Sequence, residues 1–244
     1  MVVEGLRWWE KSWRQLEDAL EECDVAVLPV GSVEQHGPAL PVGADYLASW
    51  RIAEAVAERA GVPALAPVPY GVSAHHKDFP GTVYVSPEAF KAYLRDVLYS
   101  LWEQGVRKLL VVNGHGGNSA ALRELALEAR IELSMTVLVA EWWHVSAELS
   151  LFKPEERHHA GAEESSLMMH LAPELVDESL IVDGPLPEAA PVSEVKTTGE
   201  VTKTGVIGLA KTASREKGER VFELVVSKLA EVVEKMKRGE LGLP

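Results

Sequence analysis

Val25-Ala-Val-Leu-Pro-Val30 runs without a break into Gly31-Ser-Val-Glu34-Gln-His36-Gly-Pro38, and Asp45 follows shortly after. Six apolar residues closed by a glycine are the pattern of a strand buried on both faces. Ligands of α/β proteins bind beyond the carboxyl ends of such strands. Here the strand end delivers two carboxylates and an imidazole, the ligand types of a divalent ion such as Zn, Mn or Fe. The glycines and Pro38 suit a non-regular loop aimed at a ligand. The plainer alternative is a polar loop whose acids are simply solvated.

Lys108-Leu-Leu-Val-Val112 repeats the arrangement and enters Asn113-Gly-His115-Gly-Gly117-Asn118. Ser119 to Ile131 then reads as a helix with Leu122, Leu125, Ala126 and Ala129 on one face. A phosphate cradle would need G-x-G-x-x-G or a P-loop, and neither spacing is present. A third stretch is Arg157-His158-His159-Ala-Gly161-Ala-Glu163-Glu164, opening a helix from Ala162 to Leu171. Acids in a first helical turn are favoured by the dipole, which accounts for Glu163 and Glu164 structurally. Glu164 also shares a face with Leu167, Met168 and Leu171. An inward carboxylate needs a partner, and a metal is a sufficient one.

The periodicity predicts helix Trp13–Glu22, strand Val25–Val30, helix Tyr46–Ala60, strand Pro63–Pro67, helix Pro87–Gln104, strand Lys108–Val112, helix Ser119–Glu132 and strand Thr136–Ala140. Such alternation predicts an α/β fold: a three-layer sandwich with a mostly parallel central sheet and helices on both faces. Right-handed crossovers put the strand ends on one edge, where Glu34, His36, Asp45 and His115 converge as a metal site. Residues 182–214, rich in Pro, Gly and Thr, read as a long functional loop or arm, and Arg215–Lys237 as a final amphipathic helix. No repeat or linker interrupts the pattern, so residues 1–244 are expected to form a single domain.

With 47% apolar residues the chain can bury a sizeable core, and a formal net charge of −13 excludes nucleic acid and anionic membranes as expected partners. No apolar run reaches membrane-spanning length. Met1 to Arg14 mixes charges with Trp8, Trp9 and Trp13, unlike a signal peptide. The single cysteine, Cys23, excludes an internal disulfide and is expected to be an inert buried thiol. A cytoplasmic protein is the expectation.

The chain resembles the creatininase family of metal-dependent amidohydrolases. Gly31 to Pro38, with Leu40-Pro41 and Asp45, is similar to its first signature, and Phe79-Pro-Gly-Thr82 to its second. Asn113 to Asn118 is similar to the third, and His159-Ala-Gly161 with Glu164-Ser-Ser-Leu167 to the fourth. Gly205-Val-Ile-Gly208 and Lys217-Gly218 resemble its C-terminal pattern, so the likeness spans roughly residues 5 to 235.

The resemblance implies one or two divalent ions, Zn, Mn or Fe. Glu34, Asp45 and His115 would hold one, His36 and Asp45 the other, with Asp45 bridging. The creatininase pattern completes the second set with a glutamate two residues after the histidine matching His115; Gly117 stands there. Glu164 is the candidate to replace it, the alternative being a weak or absent second ion. His159 resembles the family's proton-shuttling histidine, so His159 and Glu164 are the expected catalytic residues. The implied reaction is hydrolysis of a C–N bond in a small amide, formamide or cyclic amide by a metal-activated water. The alternatives are creatinine hydrolysis itself and a degenerate member that only binds or assembles. A serine hydrolase would need a G-x-S-x-G elbow, which is absent, and Cys23 lies on the wrong edge for a nucleophile. The family also implies a homo-oligomer, a hexamer first. Ala39, Ala44 and His75-His76 depart from the family pattern and are expected to reshape the pocket. Trp142 and Trp143 are expected either to cap a planar substrate or to pack in an interface or the core.

Overall fold

The computed structural model describes residues 7–187 and 194–240. Residues 1–6 of the tryptophan-bearing N-terminal stretch and residues 188–193 of the arm lie outside the described residues. The elements in chain order are α1 (Trp13–Glu22), β1 (Val25–Val30), α2 (Ala44–Ala60), α3 (Pro87–Glu103), β2 (Lys108–Asn113), α4 (Ser119–Leu133), β3 (Thr136–Glu141), α5 (Trp142–Ser146), α6 (Ala162–Leu171), α7 (Thr198–Val201) and α8 (Arg215–Arg238).

The strands pair in the order β1-β2-β3, all parallel, and Val30, Asn113 and Glu141 lie in register at their carboxyl ends. Alternate strand residues feed two cores, as a pleat requires. Val25 and Val27, with Leu110 and Val112, pack against Ile52 and Val56 of α2 and Val225 and Leu229 of α8. Leu28 and Val30, with Leu109 and Val111, pack against Leu94 and Leu98 of α3 and Leu122 and Leu125 of α4. The result is the expected sandwich with helices on both faces.

The strand expected over Pro63–Pro67 is instead a pair of isolated bridges, Val27 to Ala64 and Val30 to Val68. Pro29 explains the interruption. Val27 N–H donates to the Pro63 carbonyl and Gly31 N–H to the Val68 carbonyl, but Pro29 between them has no N–H to give. The register also slips by one residue between the two bridges, which absorbs an extra residue as a bulge does. The segment therefore follows β1 as a broken fourth strand.

Helix α2 begins at Ala44, ahead of the expected Tyr46, so Asp45 lies in its first turn rather than on the loop. An acid at that position is favoured by the helix dipole. Cys23 is half-buried at the end of α1, not fully buried as expected. Helix α8 crosses α6 so closely that a Cβ on Gly218 would overlap the Ser166 carbonyl. The Ser166 hydroxyl also accepts the Ser214 N–H at 3.0 Å, so the start of α8 is fastened to α6. Among the described residues no helix is long and apolar enough to cross a membrane.

Candidate metal centre

The loops after β1 and β2 are fastened to their surroundings by side chains of the signature stretches. The Gln35 N–H donates to Thr82 Oγ1 at 3.1 Å, tying the first loop to the Phe79–Thr82 turn. Asn118 Nδ2 donates to the Gly31 carbonyl at 3.0 Å, and its Oδ1 accepts the Val72 N–H at 2.9 Å. Asn113 Oδ1 accepts the His115 N–H at 3.1 Å. These bonds fix two irregular loops side by side at the strand ends.

Glu34, His36, Asp45 and His115 come together there, at 0%, 1%, 4% and 5% exposure. Asp45 is shared. Its Oδ1 lies 3.0 Å from His36 Nε2, and its Oδ2 lies 3.1 Å from His115 Nδ1. Glu34 Oε1 lies 3.1 Å from His115 Nδ1 and 3.2 Å from His76 Nε2. Glu164, half-buried on α6, brings Oε2 to 3.8 Å from His36 Nε2, and the same oxygen accepts the Ala160 N–H at 2.7 Å. Two sets capable of holding an ion follow, Glu34-Asp45-His115 and His36-Asp45-Glu164. A third, Glu34-His36-His159, overlaps them.

The donor set fits divalent metal on two further grounds. Both oxygens of Glu34 and Oδ2 of Asp45 are buried and make no hydrogen bond. Glu34 Oε1 and Asp45 Oδ2 stand close to imidazole nitrogens, as ligands around a common centre do, whereas unpaired buried carboxylates would be costly. The histidines are also oriented from behind. His36 Nδ1 donates to the Glu34 carbonyl at 3.1 Å, so Nε2, which faces Asp45 Oδ1, is the nitrogen available for a ligand bond. His115 Nε2 donates to the Val72 carbonyl at 3.2 Å, leaving Nδ1 bare. Such outer bonds fix the tautomer and raise the basicity of a ligating imidazole. Gly117 belongs to this support. A Cβ there would overlap both the Val72 carbonyl and His115 Nε2, the two ends of that bond.

Without metal the charges are balanced by protons. Burial pushes Glu34 up, but His115, His76 and His36 outweigh it and hold the carboxyl well below its usual range. Burial disfavours the His36 cation, yet Asp45, with Glu164 and Glu34 behind it, lifts His36 to about 10. His115 is raised well above its ordinary value by Glu34 and Asp45, against burial. His159 goes the other way: burial, then His36 and His76, hold it well below. Burial, then His76 and His115, push His75 down to about 4. Glu164 is pushed up to about 7 by burial, with His36 opposing.

His159 stacks on His76 with centroids 4.1 Å apart, and its Nε2 lies 2.8 Å from both the carbonyl and the side-chain amide nitrogen of Gln35. Its Nδ1 faces the carboxylates, 3.8 Å from Glu34 Oε1. Gln35 and His76 are site residues that the sequence does not reveal as such. The Gln35 amide lies 3.0 Å from His76 Nδ1 and donates to the Gly205 carbonyl at 3.1 Å. Thr198 Oγ1 lies 2.9 Å from the same His76 nitrogen. The signal available for His76 was its place in His75-His76, where only reshaping of the pocket is expected.

A cavity of about 340 Å³ opens on the centre, lined by Asp45, His115 and Glu164 and also by Gly116, Trp143 and Arg157. His75 lines it too, but Ala39 and Ala44 do not. Those two are buried, and Ala44 packs against Leu40 and Met168, so they act through the core and not through the pocket wall. The tryptophan pair divides. Trp143 lines the cavity, while Trp142 is 2% exposed and packs in the core with α8, so it caps nothing.

A parallel three-layer fold whose strand ends gather two carboxylate–histidine sets around one shared aspartate defines a hydrolase with a divalent-metal centre. The family model for creatininase (creatinine amidohydrolase) matches residues 9–233. The chain belongs to the creatininase family. It is 33% identical to the creatinine amidohydrolase of Pseudomonas putida, over 92% of this chain and 94% of that one. It is 31% identical to the 3-dehydro-scyllo-inosose hydrolase of Thermotoga maritima (94% and 83%), and 32% identical to the mycofactocin precursor peptide peptidase of Mycolicibacterium smegmatis (90% and 88%). A crystal structure of creatinine amidohydrolase superposes with a TM-score of 0.87 at 30% identity, covering 96% of this chain and 98% of that one. Matching creatininase structures include a Zn–Zn type and a Mn form.

Proposed function

We propose that this protein is a metal-dependent amidohydrolase cleaving the C–N bond of a small amide, formamide or cyclic amide. Glu34, Asp45 and His115 would hold one ion, and His36, Asp45 and Glu164 the other. The observation that carries this reading is Asp45, which offers one oxygen to each set, with Glu34 left unbonded beside it. Bound divalent ions supply an activated water and a polarised carbonyl. The chain's own contribution is at His159. Gln35 holds its Nε2, and the Nδ1 of this neutral imidazole faces the centre 3.8 Å from Glu34 Oε1, so it can take a proton and return it to the leaving nitrogen. A nearby dication would depress its pKa in the same direction as His36 and His76 do.

Creatinine is disfavoured as the substrate. Gly117 supplies no carboxylate, and its place is filled by the His115–Val72 bond. His75 replaces another residue of the family pattern on the cavity wall. The second reading, creatinine hydrolysis itself, is favoured by the Pseudomonas relative. The peptidase relative is similar at 32%, so identity alone does not choose between them. A homo-oligomer, a hexamer first, and a cytoplasmic location remain part of this reading. Exposed Trp13 and Tyr93, at 67% and 56%, offer apolar surface for subunit contacts.

The test is elemental analysis together with turnover of formamides, lactams, simple amides and creatinine by the Zn- or Mn-loaded protein. One to two ions per chain, turnover of an amide but not of creatinine, and loss of turnover in His159→Gln with metal content unchanged are expected. Efficient creatinine turnover selects the second reading. Absence of hydrolysis at full metal occupancy overturns the enzyme.

A further inference from the structure

One cationic side chain lines the cavity without serving the metal centre. Arg157 Nε donates to Glu163 Oε2 at 3.0 Å, and Nη2 donates to the Trp143 carbonyl. Glu163 is 2% exposed, and its other oxygen accepts the Ser146 hydroxyl at 2.5 Å. The guanidinium is therefore fixed at two points, by the buried Glu163 carboxylate and by the Trp143 carbonyl. Its third nitrogen, Nη1, has no protein acceptor among the described residues. A guanidinium held this way keeps a rigid donor edge free, the geometry that recognises carboxylates.

The rest of the cavity agrees. Gly116 lines it, has no positive φ, and would meet nothing within 4 Å if it carried a Cβ. The backbone does not require glycine there, and its effect is to leave open space in the cavity. A cavity of about 340 Å³ holds the liquid volume of about eleven waters, more than one compact ring needs. The net charge of −13 repels anions from the molecule as a whole, so an anionic substrate needs a local donor.

We propose that Arg157 is the specificity residue of this cavity, taking through Nη1 a carboxylate carried by the substrate. The substrate class is then an N-acyl or N-formyl amino acid, or a similar amide with an acid group a few bonds from the scissile C–N bond. This rests on the amidohydrolase reading, and the experiment separates the two. The metal-loaded protein is given N-formylglycine, N-formyl-β-alanine and N-formyl-4-aminobutyrate, each beside the formamide in which a methyl replaces the carboxylate. At the best spacing the acid is expected to exceed its neutral partner about 10- to 100-fold in kcat/KM, the range of a charged hydrogen bond. In Arg157→Lys that ratio falls by at least tenfold, mostly through KM. Calorimetry with the same pairs on metal-loaded His159→Gln reads binding without turnover, and the same preference and the same loss are expected. Should Arg157→Lys misfold, Arg157→Gln/Glu163→Gln removes both charges and leaves no unpaired buried ion. Equal handling of acid and neutral amide by the wild type, or a preference kept in both variants, overturns the assignment. If no amide is hydrolysed the amidohydrolase reading fails, and calorimetry alone decides Arg157.

Discussion

The carboxylates between α3 and α4 and those at the strand ends are treated in opposite ways. On the outer helices Lys91 meets Glu124 at 2.7 Å, Arg95 meets Glu128 at 2.6 Å, and Tyr99 meets Glu132. Each rung is one helical turn from the next, so the two helices are laced by a ladder in reach of water. At the strand ends Glu34 and Asp45 are buried among imidazoles, yet neither oxygen of the Glu34 carboxylate makes a hydrogen bond. The fold pairs its acids readily where they only serve stability. Where they are left bare, chemistry other than pairing is their purpose.

The sharpest way to break this contrast is to remove the shared acid. Asp45→Ala is expected to lose both ions and nearly all activity, whereas Glu164→Gln loses one. Metal binding at a thousandfold excess over Kd stabilises a fold by about 4 kcal/mol. Added Zn or Mn should therefore raise the melting temperature of the wild type strongly and that of Asp45→Ala not at all. A metal-dependent rise in Asp45→Ala would mean that the bridge is elsewhere.

Restoring a carboxylate tests the same contrast from the other side. Gly117→Glu is expected to weaken metal binding about 10- to 100-fold, the usual cost of losing an outer-shell bond to a ligand. Competition with a chelating dye reads this directly. Tighter binding in Gly117→Glu would show that the loop can open to accept a creatininase-like ligand.

Protons give a third test. Metal must displace them from His36, which titrates at about 10, and from His115. Between about pH 6.5 and 10 the apparent metal affinity should rise roughly tenfold per pH unit for each proton released. The metal-free protein behaves in the opposite sense. The folded pKa of His36 is raised, so its contribution to stability is complete below about pH 6.5 and is lost as the pH climbs through about 10. Thermal melts with and without metal across this window should diverge as pH rises. Parallel curves would separate these histidines from the metal.

The smallest effect belongs to the ladder. Arg95→Ala is expected to move the melting temperature by no more than about 2 °C, because exposed ion pairs contribute little. A larger drop would mean that the α3–α4 rungs fasten the sheet.

Glu34 and His36 are legible in the sequence because an unbroken apolar run and a glycine put them at a strand end, which is local information. The same holds for His115. Gln35 and His76 are not legible, because they meet only when the segments carrying His76, Thr198 and Gly205 pack against the first loop. Trp142 and Trp143 are neighbours in a helix and both pack on the α8 core, but only Trp143 also lines the cavity. Composition cannot separate them. The Pro63–Pro67 strand looks regular in itself, and its interruption comes from Pro29 on the strand beside it. Pairing partners decide whether a ladder is continuous.

The clasp between α8 and α6 has a consequence for biosynthesis. Glu34, Asp45 and His115 come from segments made early, but Glu164 rides on a helix seated by one translated later. Asp45 itself rides on α2, which also packs against α8, so both candidate ligand sets are expected to wait for α8 to dock. The proposed hydrolytic activity is then expected only in chains whose synthesis has passed α8.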